Sequence, residues 1–202
     1  MKKWPSHARY GARAGRENEA FLNPLLFERA FAQLLERYRP QIAAFIFEFG
    51  TFSKEQYPSV EPFVEDLRGF LSQLPPGFRY AVEIRNREFL DVPYLDCLRE
   101  FNVAHVYNSW TRMPELGQQI AFSETQTADF TVARALLRPG RSYEQAVKQF
   151  QPYERVQEPN EGARNALREL MERARRRGQL AFLFVNNRLE GNAPGTIEAV
   201  TG

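Results

Sequence analysis

Short, almost wholly apolar runs alternate along this chain with longer stretches in which apolar residues recur at helical spacing. The run 42–49 is nearly continuous apolar, as expected of a strand buried on both faces. The next stretch, 60–74, places its phenylalanines and leucines on one helical face. The pattern predicts five strands, at 42–49, 79–85, 103–108, 130–134 and 180–186. It predicts helices at 24–38, 60–74, 92–101, 143–150, 163–177 and 194–200.

This alternation indicates an α/β fold with parallel strands and crossover helices, either a doubly wound sheet or a (β/α) barrel. No Gly-x-Gly-x-x-Gly and no Gly-x-x-x-x-Gly-Lys-Ser/Thr motif follows a predicted strand, which argues against a dinucleotide site or a P-loop. Polar residues recur at the ends of all five strands, where parallel α/β proteins collect their functional groups. We therefore predict a single TIM-barrel-like domain over residues 1–202.

Two glutamates, Glu48 and Glu83, end the first two predicted strands. If both point into the barrel mouth, they form a carboxylate pair of the kind that serves glycoside hydrolysis or binds Mg²⁺ or Mn²⁺. The competing interpretation is an ion pair, because Arg85 lies two residues from Glu83 and on the same face of its strand. Glu48 and Glu83 are the candidate catalytic residues, and the cofactor is left open.

Arginines and amides at the other strand ends favour an anionic ligand such as a phosphate, a carboxylate or a nucleotide. The two asparagines after the last strand are equally compatible with turn chemistry. The N-terminal loop His7–Gly11 combines a titratable group, a cation and an aromatic ring, which suits a ligand loop. The candidate substrate-binding residues are Arg85, Asn108, Arg134, Asn186, Asn187, His7, Arg9 and Tyr10.

The other reactive side chains are predicted to be structural or are left undecided. His7 and His105 lack the spacing of a zinc site, and His105 is expected to be buried. Cys97 is the only cysteine, so an intramolecular disulfide is excluded, and an apolar helical pattern predicts a buried thiol. Trp110 is compatible with stacking on a sugar or base and with capping the core.

Charge and hydropathy exclude some classes of protein. The chain has 27 Lys and Arg against 25 Asp and Glu, and a net charge of +2 makes a dedicated nucleic-acid binder unlikely. No apolar run approaches the roughly 18 residues of a membrane span, and no apolar core follows the N-terminal lysines as in a signal peptide. With one cysteine, these features predict a cytoplasmic protein without a membrane partner.

Several motifs together resemble those of the YecE-like family, domain of unknown function 72 (DUF72), whose members are TIM-barrel-like. The resemblance covers nearly the whole chain, and the order and spacing of the motifs carry it. The matching segments are Pro5–Gly11, Ala14–Asn18, Glu83–Asn86, Phe130–Arg134 with Tyr143, and Phe184–Asn187 continued by Glu190–Pro194. The resemblance implies the barrel fold but no established reaction.

The resemblance also implies strands that have no counterpart here. Family members begin with further strands and a Gly-rich opening, whereas five strands are predicted in this chain and a closed barrel of this type has about eight. We therefore expect an N-terminally shortened member of the family. Its open sheet edges would favour self-association.

Three functions remain open on these observations. The first is an enzyme that acts on a small anionic or sugar-phosphate substrate at the carboxyl ends of the strands. The second is a non-catalytic module that binds a nucleotide or nucleic acid with the same arginines and asparagines. The third is a truncated, inactive fragment.

Overall fold

All five predicted strands are present in the computed structural model of the chain, which describes residues 1–5 and 8–202 and, for Ala8, Arg9 and Arg13, the backbone alone. The fold is α/β with parallel strands and crossover helices, as predicted, and it is consistent with a TIM-barrel-like fold. The strands are β1 (Phe45–Glu48), β2 (Tyr80–Glu83), β3 (Ala104–Asn108), β4 (Phe130–Ala135) and β5 (Leu180–Val185).

The predicted helices are also present, and two short helices were not predicted. These two, α5 (Leu116–Ala121) and α8 (Asn187–Glu190), span only six and four residues, too few to show a helical period in the sequence. No helix in the described part of the chain is long and apolar enough to cross a membrane. The helices are α1 (Pro24–Phe27), α2 (Gln33–Leu35), α3 (Val60–Leu71), α4 (Val92–Glu100), α5 (Leu116–Ala121), α6 (Tyr143–Phe150), α7 (Glu161–Arg177), α8 (Asn187–Glu190) and α9 (Ala193–Thr201).

The helix predicted at 24–38 is a continuous helical path whose hydrogen-bond pattern changes along its length. It starts at Pro24, as predicted, and the Asn23 side chain caps it by accepting from the Leu26 N–H at 2.9 Å. A π-helical turn, Glu28–Ala32, separates α1 from α2, and a 3₁₀ segment, Glu36–Gln41, follows α2. That segment contains Pro40, which cannot donate a backbone hydrogen bond, and it ends the helix just before the apolar run of β1.

The chain divides into two compact units, Met1–Val103 and Ala104–Gly202. In the first unit β1 and β2 pair in parallel, with Phe47 opposite Val82 and Glu48 opposite Glu83. Helix α3 connects the two strands and packs on their apolar face, where the ring of Phe47 meets that of Phe70 edge to face at 4.9 Å.

In the second unit β4 lies between β3 and β5, and both pairs are parallel. Ala133 of β4 belongs to a buried cluster with Leu167 and Leu170 of α7, so this face of the sheet is covered by that helix. β5 pairs with β4 along one edge, and Leu180 and Phe184 on β5 are exposed. Self-association through such an edge stays a prediction.

Candidate functional site

Glu48, Glu83 and Arg85 lie together in the first unit. Because side chains alternate along a strand and Phe47 faces α3, Glu48 points to the opposite face, as does Glu83 at the same level of the ladder. Arg85 joins them: its Nη2 lies 2.7 Å from a Glu48 carboxylate oxygen, and its Nε donates to Glu83 Oε1 at 3.3 Å. The predicted carboxylate pair and the competing ion pair are therefore one arrangement.

The three side chains differ in their access to solvent. The Glu83 side chain is fully buried, that of Arg85 is 15% exposed, and that of Glu48 is 38% exposed. Two carboxylates and one guanidinium give the cluster a formal charge of −1. The buried carboxylate orients the guanidinium, and Glu48 is the member of the cluster that a ligand from solvent would meet first.

Asn86 holds the backbone beside this cluster, a role that sequence analysis did not assign. Its Oδ1 accepts from the Phe52 N–H at 2.7 Å, and its Nδ2 donates to the Phe52 carbonyl at 3.2 Å. The side-chain amide thus ties the end of β2 to the loop after β1 and fixes the backbone next to Arg85. The only signal in the sequence is the position of Asn86 directly after the Glu-x-Arg strand end.

Asn108 and Arg134 occupy opposite positions on β3 and β4 in the second unit. Since Ala133 faces α7, Arg134 and its neighbours in register lie on the other face of the sheet. Asn108 is fully buried, and its side chain accepts from the Trp110 N–H at 3.3 Å and donates to the Val106 carbonyl at 3.3 Å. These bonds shape the turn after β3, whereas Arg134 is partly exposed.

The two asparagines that follow β5 hold turns. Asn186 caps α8 by accepting from the Arg188 N–H at 3.0 Å. Asn187 Oδ1 accepts from the Ala193 N–H at 2.7 Å. Both oxygens therefore serve the local backbone, in line with the turn chemistry considered for this pair. Their roles in substrate binding stay predictions.

A buried glutamate that sequence analysis did not identify organises the end of this unit. Glu190 has no exposed surface and accepts from Arg164 Nη2 at 3.0 Å, from Thr196 Oγ1 at 2.7 Å and from the Asn160 N–H. Burial raises its pKa, but hydrogen bonds from Arg164, the Asn160 N–H and Thr196 outweigh burial, and the pKa is lowered. This network is structural, since α7, α8 and α9 all contribute to it.

The remaining candidates divide between structural and undescribed residues. His7 and the side chain of Arg9 lie outside the described residues, and Tyr10 is half-buried in a 3₁₀ segment. His105 is buried with Nε2 3.4 Å from Gln119 Oε1, and burial lowers its pKa to about 4. Trp110 packs on the buried cluster of Leu137, Ala146 and Phe150, which supports its reading as a core cap.

Among the described residues, neither a reactive thiol nor a metal-binding group accompanies the glutamates. Cys97 is fully buried, as predicted, and burial raises the pKa of its thiol to about 11, so it is protonated at neutral pH. Within the described ranges, no group of three His, Cys, Asp or Glu side chains is placed to hold a metal ion. Glu48 and Glu83 share a guanidinium instead.

Two solved structures resemble this chain. A DUF72 family protein from Enterococcus faecalis V583 has a TM-score of 0.57 and 17% identity, over 92% of this chain and 65% of that one. A DUF72 family protein from Thermotoga maritima MSB8 has a TM-score of 0.55 and 20% identity, over 86% of this chain and 60% of that one. The chain thus spans less than two thirds of the length of either structure.

No curated protein matches the chain significantly. The family model of DUF72, described as a protein of unknown function, matches residues 7–201, which is nearly the whole chain. The expected resemblance is therefore confirmed over both units, and the chain belongs to the DUF72 family.

Proposed function

We propose that this protein is an enzyme that acts on a small anionic substrate, of which a sugar phosphate is the best-matched class, at the carboxyl ends of β1 and β2. The observation that carries the proposal is the bridge made by Arg85 between Glu48 and Glu83. All three lie at strand ends and on the face of the strand pair opposite α3, where α/β proteins gather reacting groups.

Glu48 is the group assigned to proton transfer. It is the more exposed carboxylate, it lies 2.7 Å from Arg85, and it is the group that accepts a proton from a substrate hydroxyl. A buried Glu83 acts through Arg85, because its carboxylate fixes the Nε side of the guanidinium. Glu83 is then a positioning residue rather than a second acid–base group.

A sugar phosphate fits this arrangement better than a simple anion. An anion without hydroxyl groups would engage only Arg85, between the two carboxylates that flank it. Hydroxyl groups, in contrast, donate to a carboxylate, while a guanidinium donates to phosphoryl oxygens from its planar edge. A substrate with both kinds of group uses Glu48 and Arg85, the two members of the cluster that are not fully buried.

The test incubates the full chain with a panel of sugar phosphates and monitors their turnover by nuclear magnetic resonance. The same assay is run on Glu48→Gln and on a control variant. Glu48→Gln keeps the shape and removes the base, so turnover falls by about 10² to 10⁴ while ligand binding persists. Glu61→Gln, at an exposed position on α3, leaves turnover unchanged.

Two results contradict the proposal. Equal turnover by Glu48→Gln and the unmodified chain removes Glu48 from the reaction. Saturable binding without turnover of any panel member, by a chain that melts cooperatively, identifies a binding module instead.

A further inference from the structure

A basic cavity of about 710 Å³ lies in the second unit, and none of the residues that line it is among the candidate site residues named above. Its walls come from the loop after β4, from α6 and from the irregular segment before α7. We call it the α6 cavity. Its charged and amide-bearing lining residues are Arg138, Arg141, Gln145, Lys148, Gln149 and Glu158. Sequence analysis named none of these residues as a candidate.

Three cations and one carboxylate line the α6 cavity, a formal charge of +2. Glu158 binds both arginines, through Arg138 Nη1 at 3.0 Å and Arg141 Nη2 at 2.9 Å. Burial raises the pKa of Glu158, but hydrogen bonds from Arg141 and Gln149 outweigh it and the pKa is lowered. The carboxylate therefore stays ionised and holds the two guanidinium groups side by side.

The arginines are fixed before any ligand arrives. Arg138 Nη2 donates to the carbonyls of Glu158 and Pro159, at 2.7 and 2.6 Å. The Arg141 guanidinium carbon lies 5.2 Å from the centre of the Phe150 ring. Long side chains held in this way lose little freedom when they bind an anion, so the cavity is preorganised.

Two buried donors of these arginines have no hydrogen-bond partner among the described residues. They are Arg138 Nε and Arg141 Nη1. A buried N–H without an acceptor is costly, and nearly all such groups in proteins are satisfied. Neither nitrogen is open to solvent, so a ligand in the α6 cavity meets the other nitrogens of the two guanidinium groups. Lys148 is exposed and makes no ion pair within the described ranges, so its ammonium group remains for the same ligand.

We propose that the α6 cavity binds a small phosphate ester, with its phosphoryl group on Arg138, Arg141 and Lys148. Guanidinium and ammonium groups donate charge-assisted hydrogen bonds to phosphate oxygens, and a charge of +2 balances a phosphate dianion. The cavity volume is that of a site for a small organic molecule, so it has room for the alcohol part of an ester. The side chains of Gln145 and Gln149 border that space and suit hydroxyl groups.

The test is calorimetric titration of the full chain with inorganic phosphate, glucose 6-phosphate and glucose. We expect saturable binding of both phosphates at a site that a Lys148 variant weakens, with tighter binding of the ester and no binding of glucose. Lys148→Gln removes one charged donor from an exposed position and weakens phosphate binding roughly tenfold. Lys54→Gln, at an exposed position outside the cavity, is the matched control and leaves binding unchanged.

A second variant distinguishes weaker phosphate binding from a failure of the chain to fold. Arg141→Lys keeps the charge but loses the planar fork, so it weakens phosphate binding while a thermal melt shows the chain still folded. Absence of saturable phosphate binding by a folded chain overturns the proposal, as does equal binding by Lys148→Gln and Lys54→Gln. Tighter binding of a single-stranded RNA than of glucose 6-phosphate also overturns it, since the site would then belong to nucleic acid.

Phosphate binding in the α6 cavity does not depend on the reaction proposed for Glu48. Glu48→Gln is expected to bind inorganic phosphate in the α6 cavity as the unmodified chain does. Loss of turnover with retained phosphate binding therefore separates the two proposals, and either one can fail alone.

Discussion

Arg85 Nη2 lies 2.7 Å from a carboxylate oxygen of Glu48, while the same guanidinium also holds the fully buried Glu83. Losing the cation therefore costs more than losing the exposed carboxylate. We expect Arg85→Gln to lower the free energy of unfolding by about 3 kcal/mol or more, because it takes the guanidinium away from a buried charge. We expect Glu48→Gln to change it by less than about 1 kcal/mol. Urea denaturation of both variants measures the difference, and equal losses would contradict it.

The Glu190 network gives a second prediction, with a control on the same arginine. Arg164 pairs with buried Glu190 at 3.0 Å and with Glu161, which is 63% exposed, at 3.1 Å. Glu190→Gln takes the buried carboxylate away from a guanidinium that is only 12% exposed, and should lower the free energy of unfolding by about 3–5 kcal/mol. Glu161→Gln should change it by less than about 1 kcal/mol. Similar midpoints in urea for the two variants would show that the buried pair is not the stabilising one.

His105 makes stability depend on pH. Its pKa is about 4 in the folded chain, because burial disfavours the charged ring, against 6.5 when exposed. Above pH 6.5 the ring is neutral in both states, so the full stability is present. As the pH falls from 6.5 towards 4 the unfolded chain takes up the proton first, and stability is lost.

The loss through His105 amounts to about 3 kcal/mol over that interval. His105→Gln keeps a polar side chain that does not titrate, so its stability should fall less steeply between neutral pH and pH 4. Urea denaturation at several pH values compares the two slopes. Parallel curves for the variant and the unmodified chain would mean that other groups cause the acid sensitivity.

Gly191 is closed to any side chain. Its φ is +109°, and a Cβ there would lie 2.8 Å from the Arg155 carbonyl oxygen, which is backbone and cannot move aside cheaply. Gly191→Ala should therefore lower the free energy of unfolding by about 2 kcal/mol or more. Gly69→Ala is the control, because a Cβ at this exposed position in α3 meets nothing within 4 Å. It should raise stability by about 0.5–1 kcal/mol, and thermal melts that rank the two variants the other way would refute the argument.

The strands were predictable because each is a short apolar run with polar ends, which a parallel sheet demands. The run at 42–49, for example, contains all of β1 and places Glu48 at its last position. The single helix predicted at 24–38 in fact contains a π-helical turn and runs into a 3₁₀ segment. Neither was predicted, because the spacing of apolar residues does not distinguish these hydrogen-bond patterns.

The cluster at β1 and β2 followed from the sequence in part. The alternation of side chains placed Arg85 on the same face as Glu83, and the order of the strands placed Glu48 beside them. The α6 cavity did not follow, because Glu158 and Arg138 lie twenty residues apart and their segments have no regular period. Only the folded loop brings this carboxylate to both arginines.

Asn86 has a consequence for how this position can vary. Its side-chain amide accepts from the N–H and donates to the carbonyl of Phe52, as a backbone peptide group of a neighbouring strand would. The side chain thus extends the hydrogen bonding between the two segments beyond the ends of the strands. Aspartate has the right length but no donor, and glutamine has both groups but one carbon too many. The site therefore accepts one residue type, and a chain that carries another there must close the loop after β1 by a different set of bonds.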